Sequence, residues 1–174
     1  MKLAGASVLG FAAFSGTGKT TLLKQLIPLL KAKGLRVGLL KKTHHDADID
    51  RPGKDSYELR QAGASPVMLS SPRRRAVITE HEEIRERGLV EELSCFDWGN
   101  VDLVLVEGYK HEPFPKIELH RPVLGKPLLF PEDPSIIAIA SDGPLPVNPS
   151  IPRFDLNAPV AIADFIFEFF HGTD

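Results

Sequence analysis

The chain has 174 residues, a formal net charge of -2, 43% hydrophobic and 25% charged residues, and one cysteine. That length fits a single domain of roughly 100–200 residues, and the composition is that of an ordinary globular protein. The slight negative charge excludes a nucleic-acid binder that works through bulk positive charge. A lone Cys95 excludes an intramolecular disulfide and a cysteine-held zinc or iron–sulfur centre, a usage that fits a reducing cytoplasm.

Lys2 and the apolar run Leu3 to Phe14 look like the start of a signal peptide, but cleavage there would destroy the motif that follows. The run therefore reads as a first buried strand, with Ser7 to Ala13 covered on both faces. After Ser15 to Thr21 (SGTGKTT) a helix is predicted from about Lys19 to Lys33, with Leu22, Leu23, Leu26, Leu29 and Leu30 as its apolar stripe. Pro28 is expected to kink it and Gly34 to cap it. Leu35 to Lys41 is a second strand, closing a right-handed βαβ unit.

A polar loop, Thr43 to Lys54, precedes a predicted helix at Asp55 to Ala62 that Gly63 ends. Val67 to Ser71 and Ala76 to Glu80 read as short strands around the turn Pro72 to Arg75. Its run Arg73-Arg74-Arg75 is either a solvated turn or a grip for an anion. His81 to Phe96 is predicted as an amphipathic helix interrupted near Gly88, with Cys95 a small buried residue. Asp102 to Val106 is an apolar strand ending at Glu107-Gly108, and Lys116 to Leu119 is a short strand. A Pro-rich loop, Arg121 to Pro134, leads to the buried strand Ile136 to Ala140, which ends at Ser141-Asp142-Gly143. Past the Pro-rich connection Pro144 to Pro152, Asn157 is placed to cap a final helix, Ala158 to Phe170, with Pro159 in its first turn. That helix is apolar almost all round and is expected in the core or in a dimer interface. No apolar stretch reaches the roughly 20 residues of a membrane span. The alternation predicts an α/β protein: one three-layer P-loop domain over 1–174, with a mostly parallel sheet and helices on both faces.

The phosphate motif carries the chemistry. A P-loop reads G-x-x-x-x-G-K-[ST], and the matching stretch is Ala13 to Thr20, with Ala13 at the first glycine position. Alanine can turn there only if its φ stays negative. Gly16 and Gly18 let successive N–H groups of Ser15, Thr17 and their neighbours curl towards a phosphate. The helix start adds its positive end. Lys19 is expected to reach the β- and γ-phosphates, and the Thr20 hydroxyl to bind Mg²⁺, with Thr21 beside it. Glu107, at the end of an apolar strand, stands where a second acidic group for Mg²⁺ belongs. Lys19, Glu107 and Asp50 are the candidate catalytic residues, and Thr20, Glu107 and Asp50 the candidate metal ligands.

The loop THHDADID, Thr43 to Asp50, follows a strand end and so falls where ligands bind in parallel sheets. It reads as a Mg²⁺-binding or switch segment, as a solvated polar loop, or as a transition-metal site through His44 and His45. Asp50 is preferred as its functional residue because Arg51-Pro52-Gly53 stiffens the chain after it.

SGTGKTT, KKTHHDADIDRPGKDSYELRQAGA (Lys41 to Ala64), LVLVEGYKHE (Leu103 to Glu112) and IAIASD (Ile137 to Asp142) together resemble the molybdopterin-guanine dinucleotide biosynthesis protein B family. The resemblance covers nearly the whole chain. It implies a P-loop GTPase-like fold, a homodimer, and GTP binding with at most slow hydrolysis. It also implies an accessory role beside the guanylyltransferase that joins GMP to molybdopterin. By motif, Ser15 to Thr21 would be the phosphate loop, Glu107 the acid, and Asp50 a neighbour of the nucleotide. P-loop ATPases with an extra signature lysine carry it where this chain has Phe14. Of the N-K-x-D pattern that reads guanine, Ile139 to Asp142 keeps only Asp142, whose carboxylate can accept the N1 and N2 protons. A P-loop small-molecule kinase and a metal-insertion GTPase using His44 and His45 are the alternative functions.

Overall fold

The computed structural model describes residues 1–43 and 48–172. In chain order the elements are β1 (Lys2–Leu3), β2 (Ala6–Ala12), α1 (Lys19–Ala32), β3 (Val37–Lys41), α2 (Asp55–Gln61), β4 (Val67–Ser70), β5 (Arg75–Ile78), α3 (Leu89–Leu93), β6 (Leu103–Glu107), β7 (Lys116–His120), β8 (Ile136–Ser141), β9 (Arg153–Asp155) and α4 (Pro159–His171). They fall into two compact units: residues 1–42 with 89–174, and residues 43–88.

The first unit is built on a seven-stranded sheet in the order β3-β6-β2-β7-β8-β9, with β1 paired to β2. All the pairings on that path are parallel; β1 alone runs antiparallel to β2. The expected α/β architecture is thus present. One face carries Leu9, Phe11, Leu103, Leu105, Ile117 and Leu119 and packs under α1 and α4. The other carries Val8, Val104 and Val106 and packs against Leu89, Leu93, Tyr109 and Phe114. This alternation explains why β2 is buried at every residue and so reads as a continuous apolar run.

Helix α1 continues as helix past Pro28. It ends with Gly34 at φ 90 and the Leu35 N–H bonded to the Leu30 carbonyl, a left-handed glycine cap. Helix α4 buries Ile162, Ala163, Ile166 and Phe170, while Val160 and Phe169 stay 57% and 41% exposed. Its cap is Ala158, with Pro159 as the first helical residue; Asn157 instead donates its N–H to the Asp155 carboxylate.

Two expectations are corrected. The helix predicted over 81–96 is present only as Leu89–Leu93. Residues 81–88 offer one large apolar side chain, Ile84, and it is wholly exposed, so there is no stripe to bury and tertiary packing gives that helix no support. Leu89 and Leu93, one turn apart, both enter the core. Cys95 is exposed rather than buried, lying just past that short helix.

In the second unit, α2 precedes the antiparallel hairpin β4–β5. Ser71 closes its turn: its N–H and Oγ donate to the Arg74 carbonyl, and its Oγ accepts from the Arg73 and Arg74 N–H groups. Arg73 and Arg74 are exposed. Arg60 donates to both oxygens of Asp48 at 2.8 Å and to Glu80, tying the start of the unit to its end. This guanidinium holds the Asp48 carboxyl below its usual pKa.

Candidate phosphate site

In a parallel sheet the carboxyl ends of the strands share one edge, and ligands bind outside it. β2 delivers the phosphate loop to that edge. Its neighbours deliver Lys41 and Glu107, which share a row with Phe11 across β3, β6 and β2. Residues 14–21 and Glu107 line a single cavity there.

The loop is shaped by its own atoms. Gly16 and Gly18 sit at φ 81 and φ 96, which residues with a Cβ adopt only under strain. Ala4 is the one non-glycine at positive φ among the described residues, so Ala13 meets the condition its substitution imposes. Thr17 is buried, and its Oγ1 donates to the Phe14 carbonyl at 2.8 Å, locking the curl. The Lys19 ammonium donates to the Ala13 carbonyl at 3.2 Å, so its amine crosses the mouth of the loop. Burial lowers the Lys19 pKa; Glu107 opposes the shift, and Lys41 and Lys110 add to it. Three charged side chains thus act on Lys19 at this end of the sheet.

Beside this cavity lies a second one, walled by Gly18, Thr21, Gln25, Arg121 and Asn157. A third is lined by Ser141, Asp142, Gly143 and Asp155. Arg121 connects them: its Nε donates to the Thr17 carbonyl at 2.7 Å, and its Nη1 bonds the Asp142 carboxylate. Sequence reasoning singled out Asp142 but passed over Arg121. The available signal was its position directly after β7, on the edge where ligands bind. Lys110 was missed likewise, although it follows Glu107 and Gly108 in the same strand-end segment.

Asp50 belongs to the second unit. Its Oδ1 accepts from the Arg51 N–H and the Ser56 hydroxyl, whereas its buried Oδ2 has no hydrogen-bond partner among the described residues. His44 and His45 lie outside the described residues, and among the described residues no group of three or more His, Cys, Asp or Glu is placed to hold a metal.

A glycine-curled loop between a buried strand and a helix, on the carboxyl edge of a parallel sheet, defines a P-loop α/β protein. The model of the family described as molybdopterin guanine dinucleotide synthesis protein B matches residues 8–142. The chain belongs to that family, as its motifs imply. It is 49% identical over 162 residues to the molybdopterin-guanine dinucleotide biosynthesis adapter protein of Escherichia coli (strain K12), covering 92% of this chain and 91% of that one. Over 170 residues it is 42% identical to the adapter protein of the same name from Haemophilus influenzae, covering 95% and 92%. Among solved structures, Bacillus subtilis MobB superposes with a TM-score of 0.71 at 22% identity, covering 93% of this chain and 96% of that one, which shows the shared fold. No helix among the described residues is long and apolar enough to cross a membrane.

Proposed function

We propose that this chain is a GTP-binding adapter in the assembly of molybdopterin guanine dinucleotide, acting beside the guanylyltransferase and hydrolysing GTP slowly at most. The observation that carries the reading is the single cavity that gathers the phosphate loop, Lys19 and Glu107. Ser15 to Thr21 would hold the β- and γ-phosphates through backbone N–H groups and Lys19. The nucleoside would run past Thr21 and Arg121 towards Asp142. A carboxylate has about four lone-pair sites, so Asp142 can serve both Arg121 and the N1–H and N2–H of guanine.

The Thr20 hydroxyl and the Glu107 carboxylate are hard oxygen donors in the same cavity, the type Mg²⁺ takes. Asp50 is also kept as a candidate Mg²⁺ ligand, because its Oδ2 has no hydrogen-bond partner among the described residues. Held by Thr20 and Glu107, a bound Mg²⁺ would supply positive charge to offset the negative charge of the phosphates. Sequence reasoning finds no catalytic glutamine or arginine finger in this chain, which supports slow turnover and an adapter's role. We also propose a homodimer; the hairpin residues Met68, Leu69 and Val77, 60%, 42% and 50% exposed, are apolar surface that a second copy would cover.

Calorimetric titration with GTP and ATP in Mg²⁺ tests the reading. GTP should bind more tightly than ATP, and Lys19→Ala should weaken it by tenfold or more, about 1.4 kcal/mol. Equal or better ATP binding sinks the guanine assignment and favours a small-molecule kinase. No binding of either nucleotide sinks the nucleotide reading itself.

A further inference from the structure

The position that carries a signature lysine in some P-loop ATPases is Phe14 here, yet the ring brings cations to that place. The Lys110 ammonium stands 5.4 Å from the Phe14 ring centroid, and the Lys126 ammonium 5.9 Å from it. Both distances lie within the roughly 6 Å over which a cation is held by an aromatic face. The two lysines come from different segments. Lys110 follows the end of β6, on the same stretch as Glu107, and Lys126 sits on the loop after β7.

That second loop is anchored. The Glu118 carboxylate accepts the Leu129 and Phe130 N–H groups at 2.8 Å each, and the buried Lys116 ammonium pairs with Asp133 at 2.8 Å. Among the described residues neither Lys110 nor Lys126 has a carboxylate partner, in a chain with more acidic than basic residues. Phe14 itself lines the phosphate cavity, two residues before Gly16. Two like charges gathered on one ring beside Lys19 repel one another, so the arrangement gains most when an anion arrives between them.

We propose that Phe14 is a platform which presents Lys110, backed by Lys126, to the terminal phosphate of a bound nucleoside triphosphate. The chain thereby supplies from within itself a cation for the extra negative charge that a triphosphate carries over a diphosphate. The inference rests on the nucleotide reading given above and extends it to a residue that distinguishes the two phosphorylation states. Phe14 acts through the lysines and is a positioning residue; Lys110 is the group that touches the ligand.

The test is calorimetric titration of GTP and GDP in Mg²⁺ into the wild-type chain, Lys110→Gln, Phe14→Leu and Phe14→Tyr. Lys110→Gln is expected to weaken GTP about tenfold while leaving GDP within about twofold, a selective loss that general damage to the loop would not give. Phe14→Leu should reproduce that loss with an unchanged unfolding midpoint, and Phe14→Tyr, which keeps the ring, should restore wild-type binding. If Lys110→Gln weakens both nucleotides equally, or neither, the inference is overturned while the nucleotide reading stands. If the wild-type chain binds neither nucleotide, both fail together.

Discussion

Arg121 donates from its Nε to the main-chain carbonyl of Thr17 at 2.7 Å, and the same guanidinium holds the Asp142 carboxylate. The fork thus ties the phosphate loop to the end of β8. A Cβ on Gly18 would lie 3.3 Å from Arg121 Nη2, so the glycine that shapes the loop also makes room for this link.

Replacing Arg121 with Ala leaves a half-buried carbonyl and a half-buried carboxylate without their charged donor. Loss of such a charge-assisted link costs about 1.5–3 kcal/mol, so the urea midpoint should fall. Any preference for GTP over ATP should shrink with it, because Asp142 is no longer held in place. Arg121→Lys keeps the charge without the planar fork and should recover only part of each loss. Urea unfolding and paired GTP and ATP titrations measure the two effects. Wild-type stability in Arg121→Ala would show that the link is incidental.

The phosphate loop is legible because its residues are dictated locally: Gly16 and Gly18 need positive φ, and Lys19 opens the helix. The strand β7 shows the opposite case. Lys-Ile-Glu-Leu-His alternates charged and apolar side chains, which in isolation reads as a strand with one wet face, yet all five residues are buried. The partners of Lys116 and Glu118 are Asp133 and the N–H groups of Leu129 and Phe130, on a Pro-rich loop with no local pattern to announce them. Lys110 and Arg121 escaped notice for the same reason, since each acquires its role from a segment distant in sequence. The region 81–88 misled in the other direction, because charged residues of good helix propensity do not make a helix without an apolar face to bury.

The amino-end edge of the sheet gives a pH-dependent prediction. Asp102, just before β6, accepts the Arg36 N–H at 2.7 Å and both Nε and Nη2 of its guanidinium at 2.9 and 2.6 Å. These bonds hold the Asp102 pKa down, from 3.8 to about 2. A carboxyl whose folded pKa is depressed contributes stability that is complete above its unfolded value and lost as pH falls through the folded one. The contribution is therefore present above about pH 4 and fades between about pH 4 and pH 2. Both side chains are substantially exposed, which keeps the effect small and salt-sensitive. Asp102→Asn should unfold at a lower urea concentration than wild type at pH 6, and the gap should close as the pH is taken towards 2. A gap that stays constant over that range would remove Asp102 as the titrating group.

Gly10 offers a prediction that depends on packing alone. It lies in the middle of β2, where its Cα is in register with Val106 on one side and Lys116 on the other. A Cβ built there would stand 2.7 Å from Lys116 Cγ and 2.7 Å from two ring atoms of Phe114. Neither neighbour can simply swing aside. Phe114 is 3% exposed and packed with Val8 and Val106. Lys116 is held by Asp133 at 2.8 Å and by the Glu112 carbonyl at 2.6 Å, and its stem cannot move without disturbing those bonds. Gly10→Ala should therefore destabilise the chain by about 1–3 kcal/mol, the range for overpacking a filled core, although alanine normally suits a strand better than glycine does. Gly10→Val, with two more carbons, should cost more. Because β7 leads directly into Arg121, displacement of Lys116 is also expected to loosen the grip on Thr17 and to weaken nucleotide binding in parallel with stability. Urea midpoints for both variants measure the first effect and GTP titration the second. A Gly10→Ala chain as stable as wild type would mean that Phe114 and Lys116 have room to shift.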